Sequence, residues 1–285
     1  METPIVTNKQ SEDFEKVEEI CRLFGNPDTF ENTFFDNDWA YPFSSDGKKI
    51  LLYPATVAYY TIFHVFATSL LLSKNMSGDV KAISMSYLEY IFYLAENGDG
   101  INLVFLTELL LICLKLPRTT TKDGNVIPSV EIARADDKKV YLLINGERWT
   151  AQEFDKIRQI ILRQNALEAP REDLHPDILE AYKEYEEFLR KRNKVKICSF
   201  SDQLNVIMLK TAYTKETIMG MTIQTFTKLL ERADLMLNYE ISTLLSPYMS
   251  KDGVQKITHY LSDTTHDKYK DMYVDYDEFR RKNNL

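Results

Sequence analysis

A metal site or an acid–base pair in this 285-residue chain would have to be built from four histidines, three cysteines and a surplus of carboxylates. His259 and His266 stand seven residues apart, two helical turns, with Asp263 and Asp267 beside them. They complete no HExxH motif, and no histidine pair stands at metal-ligand spacing with a nearby cysteine, so these residues read as ordinary surface residues rather than a metal site. His64 and His175 are isolated from other ligand types in sequence. Cys21, Cys113 and Cys198 are odd in number and widely spaced, which rules out a CxxC knuckle and a disulfide framework and points to a reducing cytoplasm. The chain contains no GxxxxGK[ST], GxGxxG or GxSxG, so nucleotide hydrolysis, dinucleotide binding and acyl transfer lack their local signatures. Acid pairs such as Asp136-Asp137 and Glu186-Glu187 read as a turn and a solvated helix face. No catalytic, cofactor-binding or metal-ligating residue is assigned, and the expectation is a non-enzymatic protein without cofactors.

The composition narrows what must carry the function instead. Asp and Glu number 43 against 35 Lys and Arg, a net charge of −8, and such a surface repels phosphate, so no nucleic-acid partner is expected. Hydrophobic residues make up 44%, with 17 Tyr and 15 Phe, enough for a real core. Nine Gly and nine Pro leave little turn material for a sandwich or barrel. The expected fold class is mainly α: a multi-helix bundle with a small antiparallel β-hairpin or meander inserted near residues 126–149. The acidic N-terminus lacks the basic start and apolar run of a signal peptide.

Five segments are expected along the chain. Residues 1–49 form an acidic helix around Glu12 to Phe24 and an aromatic-rich arm, whose Phe30, Phe34, Phe35, Trp39, Tyr41 and Phe43 pin a loop onto the helices or dock it on another subunit. Residues 50–120 are an N-terminal helical core. Its run Ile50 to Leu72 is long enough to invite a membrane reading, but Pro54 and the polar Tyr59, Tyr60, Thr61, His64, Thr68 and Ser69 argue for a buried central helix with Pro54 in its first turn. Ile83 to Leu94 reads as one amphipathic helix closed by Asn97, Gly98 and Gly100, and Ile101 to Leu116 as a second core helix stopped by Pro117. Residues 121–149 carry the meander, with strands at Ser129–Arg134, Lys139–Ile144 and Glu147–Trp149 and a type I′ turn at Asn145-Gly146.

Residues 150–260 are a C-terminal helical domain. Thr150 and Glu153 make a capping box, followed at helical spacing by Phe154, Ile157, Ile160 and Ile161. A helix from about Pro176 to Asn193 carries Ile178, Tyr182, Tyr185 and Leu189 in a near-heptad stripe, with glutamates early and Lys/Arg late. Further helices are expected at Asp202–Ala212, Lys215–Met219 after Thr214, and Ile223–Leu245 after Thr222. No basic recognition face accompanies them, which excludes a helix-turn-helix. Residues 261–285 form a polar, aromatic tail.

The phrases YPATVAYYTIFHVFATSLLLSKNMSGDVKAISMSYLEYIFYL and EFDKIRQIILRQNALE together resemble a family of tail-region proteins of long-tailed bacteriophages infecting Gram-positive bacteria. The similar features are Lys74-Asn75, the Met85 to Leu88 segment, Phe154 to Arg158, Gln164-Asn165, and the stretch from Phe200 through Leu230 to Tyr239-Glu240; together they cover residues 50–260. The resemblance implies a tail assembly chaperone that shields the helical tape-measure protein during tail morphogenesis in the cytoplasm of the infected host. Helix-in-groove binding needs anchors at i, i+3, i+4 and i+7, and Tyr182, Tyr185, Phe188 and Leu189 offer a candidate partner-binding face for the tape measure or another tail protein. A homo-oligomer is compatible with the sequence, and no membrane partner is expected. The alternative role is a structural virion component such as a connector, neck or baseplate protein.

Overall fold

The computed structural model describes residues 14–17, 40–77, 79–120, 126–135, 139–170, 172, 176–192, 199–250, 253–254, 259 and 261. It is a mainly α fold with small antiparallel β elements. The chain forms two compact units, residues 1–228 and 229–285.

The first unit opens with a hairpin. Strand β1 (Tyr41–Ser45) pairs antiparallel with β2 (Lys48–Leu52), Tyr41 opposite Leu52. Asp46 and Gly47 make the turn at φ +48° and +77°, the two left-handed residues that a type I′ hairpin requires. Tyr41 and Phe43 are therefore strand residues facing the core rather than part of an irregular arm; Phe30, Phe34, Phe35 and Trp39 lie outside the described residues. Within the acidic helix expected at Glu12 to Phe24, residues 14–17 are helical and Phe14 is buried.

The expected single central helix, with Pro54 in its first turn and running on to Leu72, is corrected. Ile50 to Leu52 belong to β2, Pro54 lies in the link, Val57–Tyr59 form a 3₁₀ turn, and the α-helix α1 occupies only Tyr60–Ala67 before a second 3₁₀ turn at Thr68–Leu70. No helix among the described residues is long and apolar enough to cross a membrane. A second correction concerns Ile83 to Leu94. It is two helices, α2 (Val80–Ser84) and α3 (Tyr87–Glu96), because Ser86 and Glu89 form a reciprocal capping box that starts a new helix. Ile83 consequently sits exposed on α2, whereas Tyr87, Leu88 and Ile91 of α3 are buried. Gly98, at φ +101°, follows α3, as the Asn-Gly ending predicts.

Helix α4 (Ile101–Leu114) supplies the centre of the core with Leu106, Leu109, Leu110, Cys113 and Leu114. It stops at Lys115, which takes a left-handed conformation just before Pro117. Two short strands, β3 (Arg118–Thr120) and β4 (Val126–Pro128), pair with each other. The predicted meander follows as β5 (Val130–Arg134), β6 (Val140–Ile144) and β7 (Glu147–Thr150), in the order β5-β6-β7. Asn145 and Gly146 at φ +50° and +82° form the expected primed turn. Alternate residues Val140, Leu142, Ile144 and Trp149 point into the core, so the sheet buries one face against the helices.

Helix α5 (Ala151–Gln164) begins in the predicted Thr150/Glu153 capping box and buries Phe154, Ile157 and Ile161. Helix α6 (Pro176–Arg192) follows, then α7 (Phe200–Lys210) capped by Ser199, α8 (Lys215–Gly220) capped by Thr214, and α9 (Ile223–Leu245). The expected start of α7 at Asp202 moves back because Asp202 is itself the third residue of a Ser199 capping box.

The second unit contains α9 from residue 229 onward and a 3₁₀ turn at Ser246–Tyr248. The Tyr239 and His259 rings meet edge-on with centroids 5.0 Å apart. Ile241, Leu244 and Tyr248 are exposed there.

Candidate functional site

An apolar furrow lies between α1 and α4 in the first unit, with a volume of about 690 Å³. Its two walls run in opposite senses. Phe66 near the end of α1 packs on Phe105 at 5.6 Å, whereas the amide of Tyr53, shortly before α1, donates to Cys113 O at 2.7 Å near the end of α4. One wall presents Tyr59, Ile62 and Phe66, which share a helix face at i, i+3 and i+7. The other presents Glu108, Leu111, Ile112 and Lys115, which recur at i, i+3, i+4 and i+7. Tyr59 and Ile62 remain about half exposed, as do Val65, Ile101 and Val104 on the neighbouring turns of the same two helices. These five side chains are apolar groups that α1, the turn before it and α4 leave about half exposed.

The furrow's shape depends on how its floor is fixed. The Ala55 amide donates to Asn165 Oδ1 at 2.8 Å, Asn165 Nδ2 donates to Ile161 O at 2.7 Å, and Gln164 Nε2 donates to Leu52 O at 2.9 Å. Both amide side chains are buried at the end of α5. From the other side, Val57 N donates to Met221 O and Ile223 N to Ala55 O, so the link between β2 and α1 is held like a short strand. Tyr60 extends this seam by stacking on Phe200 at 4.6 Å, with Phe226 edge-on at 5.8 Å. At the far end, the Lys115 ammonium lies 4.0 Å from the centre of the Tyr53 ring.

A second cluster gathers partly buried ionisable groups around Arg158 and Tyr87. The Arg158 guanidinium lies 3.6 Å from the centre of the Tyr87 ring and donates twice to Leu70 O, at 3.0 and 2.7 Å. Tyr87 OH donates to Ser69 O and accepts from Leu72 N, both at 2.9 Å. Lys74 donates to Met85 O and stands 3.5 Å from Glu172, and Asn75 donates to Glu172 O. Burial raises the Tyr87 hydroxyl well above its usual range, against the pull of Arg158. These groups engage main-chain carbonyls at the turn that follows α1, so they lock the furrow's α1 wall against α3 and α5.

His64 sits between the Tyr60 and Phe63 rings, where burial lowers its pKa and favours the neutral imidazole. Among the described residues no three His, Cys, Asp or Glu side chains are placed to hold a metal ion. His259 lies in the second unit and its Nδ1 accepts from Leu261 N; His266, Asp263 and Asp267 lie outside the described residues.

Of the four residues of the expected partner-binding face, Tyr185 and Phe188 are exposed, at 54% and 57%. The backbones of Tyr182 and Leu189 are helical in α6, and their side chains lie outside the described set. Tyr185 and Phe188 are not among the residues lining the furrow. Sequence reading missed the furrow because its walls come from segments about 50 residues apart, and because Tyr59 and Ile62 fell inside a run taken as buried. The available signal was the breadth of that run: apolar residues on every face of a short helix leave some of them without a cover. Comparison of the chain with protein-family models, with curated proteins and with solved structures gives no match.

Proposed function

We propose that this chain is a non-enzymatic tail assembly chaperone of a long-tailed bacteriophage, and that it holds an apolar helical stretch of the tape-measure protein before tail-tube subunits close around it. The observation that carries this reading is the furrow between α1 and α4, with the apolar Tyr59, Ile62 and Phe66 at helical spacing on one wall and Leu111 and Ile112, bracketed by Glu108 and Lys115, on the other. A helix laid in such a furrow buries its own i, i+3, i+4 and i+7 anchors against them. The likeness of the Lys74-Asn75, Met85–Leu88 and Phe154–Arg158 segments to phage tail-region proteins supplies the biological setting, the cytoplasm of the infected host. Tyr59 and Ile62 are already about half exposed before binding, so the exchange is reversible and requires no change of fold.

Co-expression with a tape-measure fragment tests the reading. The wild-type chain keeps the fragment in the soluble fraction. Tyr59→Asp with Ile62→Asp abolishes that effect while leaving the circular dichroism spectrum unchanged, since both positions are exposed. A double variant that still holds the fragment overturns the furrow as the binding site. Detection of this chain at fixed stoichiometry in purified virions overturns the chaperone role in favour of a structural virion component.

A further inference from the structure

The sequence holds two Asn-Gly pairs, Asn97-Gly98 and Asn145-Gly146, and the fold treats them oppositely. The first closes α3 and is tied down by hydrogen bonds. Asn97 Nδ2 donates to Tyr93 O at 2.7 Å, the Gly98 amide donates to Ala95 O at 3.3 Å, and the Asp99 amide donates to Leu94 O at 2.9 Å. The second forms the turn between β6 and β7, where both residues are exposed. The Asn145 amide donates to Ser129 O at 2.9 Å, but among the described residues neither the Asn145 carboxamide nor the Gly146 amide has a hydrogen-bond partner. Asn145 also holds φ at +50°, in the left-handed region that costs energy for a residue with a Cβ. A Cβ placed on Gly146 would meet nothing within 4 Å, so the space beside its nitrogen is open.

From this contrast we infer that Asn145 is a modification site, whose side chain deamidates spontaneously in water while Asn97 is protected. Hydroxide takes the Gly146 amide proton, and the nitrogen attacks Asn145 Cγ. The N–Cγ bond forms as the Cγ–Nδ2 bond breaks, and the side-chain nitrogen leaves as ammonia after taking a proton from water. One water then opens the cyclic imide. Breaking the new N–Cγ bond leaves an aspartate at position 145; breaking the bond from Gly146 N to the main-chain carbonyl carbon leaves an isoaspartate, whose chain runs through Cβ. The two products act differently on the sheet. Asp-Gly suits the same primed turn as Asn-Gly. An isoaspartate adds a main-chain atom to a two-residue turn, which disturbs the pairing of Ile144 with Glu147 and, beyond it, of Leu142 with Trp149. Trp149 is fully buried, and Thr150 after it caps α5, so the isoaspartate form loosens β7 and the start of α5 together.

Ageing the folded chain near pH 8 in water enriched in oxygen-18, followed by peptide mapping with fragmentation that tells isoaspartate from aspartate, measures both sites in one sample. The Asn97 carboxamide and the Gly98 amide must first give up their hydrogen bonds, so Asn145 converts at least about tenfold faster than Asn97. In urea the two convert at similar rates, because the bonds that separate them are gone. Asn145→Gly keeps a favoured primed turn and abolishes the oxygen-18 label at this position, with circular dichroism unchanged. Asn145→Asp, which supplies the aspartate product directly, unfolds at nearly the wild-type urea midpoint. Aged wild-type chain instead develops a second population that unfolds at lower urea, and its size follows the isoaspartate content. Equal rates at the two asparagines in the folded chain overturn the inference. So does a preference for Asn145 that persists unchanged in urea, or an isoaspartate-rich sample as stable as fresh protein.

Discussion

The ammonium of Lys48 lies 2.8 Å from one carboxylate oxygen of Glu153 and 2.9 Å from the other, which joins the first hairpin to the start of α5 across more than a hundred residues of chain. The same carboxylate accepts from the Thr150 amide at 2.7 Å and the Thr150 hydroxyl at 2.9 Å. Lys48 also sits 4.6 Å from the centre of the Trp149 ring and donates to Arg148 O. One acid thus caps a helix and fastens a strand, with the buried indole beneath it.

Removing that charge should cost stability in a pH-dependent way. Burial alone would raise the Glu153 carboxyl, but hydrogen bonds from Lys48, the Thr150 amide and the Ser45 and Thr150 hydroxyls outweigh it and hold the group at about 2, against an ordinary 4.5. A carboxyl held below its unfolded value adds stability above the unfolded pKa, and that stability is lost as pH falls through the folded one. Glu153→Gln therefore lowers stability by about 1–3 kcal/mol near pH 7. The gap between variant and wild type narrows below an unfolded-state pKa of about 4.5 and closes near 2. Urea midpoints at neutral and acidic pH measure it, and a gap that persists undiminished in acid contradicts the assignment.

Local chemistry made this part of the fold legible. The Thr150/Glu153 box, the Asn145-Gly146 turn and the alternation through Val140, Leu142 and Ile144 are each written in a few adjacent residues, and each is found where the sequence puts it. The long apolar run from Ile50 was misread because a strand buried on the core side and a helix buried on most faces look alike over short stretches. The deciding signal was Asp46-Gly47, a hairpin dipeptide just upstream. Ser86-x-x-Glu89 was likewise available and divides α2 from α3. The furrow was not legible, since it arises only when the link at Ala55 is tied to Asn165 and Ile223.

That link yields the next prediction. Asn165 is 1% exposed and serves Ala55 N and Ile161 O with its two amide atoms. Asn165→Ala leaves both backbone groups buried and unpaired, so it should cost about 2–4 kcal/mol. It should also weaken holding of a tape-measure fragment under conditions where the variant remains folded, because Ala55 lines the furrow. Thermal unfolding together with the co-expression assay separates the two effects. Loss of stability with full holding would show that the floor tolerates movement.

Cys113 offers a chemical probe of the core. Its side chain is fully buried in α4, and burial pushes the thiol up to about 12. Thiolate is the reactive species, so alkylation of Cys113 near pH 8 should be slower by at least about a thousandfold in the folded chain than in urea. Peptide mapping of the modified residue by mass spectrometry distinguishes Cys113 from Cys21 and Cys198. Rapid labelling of the folded chain at Cys113 would mean that α4 opens readily from its neighbours.

The acid beside Arg158 should behave oppositely to Glu153. Burial raises the Asp155 carboxyl; the Tyr87 amide, Arg158 and Lys74 draw it back, Glu172 pushes it up again, and the net direction is upward. One of its oxygens, Oδ1, is buried without a hydrogen-bond partner. A carboxyl raised above its unfolded value of 3.8 binds its proton more tightly in the folded state, so ionising it at neutral pH costs stability. Asp155→Asn keeps an oxygen for the Tyr87 amide and removes the buried charge. The variant should therefore unfold at higher urea than wild type near pH 7, and the two should converge as the pH falls through the folded pKa to below about 3.8, where Asp155 is protonated in both states. A variant less stable than wild type at neutral pH would mean that the attraction of Arg158 and Lys74 for the carboxylate outweighs its desolvation, and that this cluster holds the α1 wall by charge as well as by its hydrogen bonds to Leu70 and Met85.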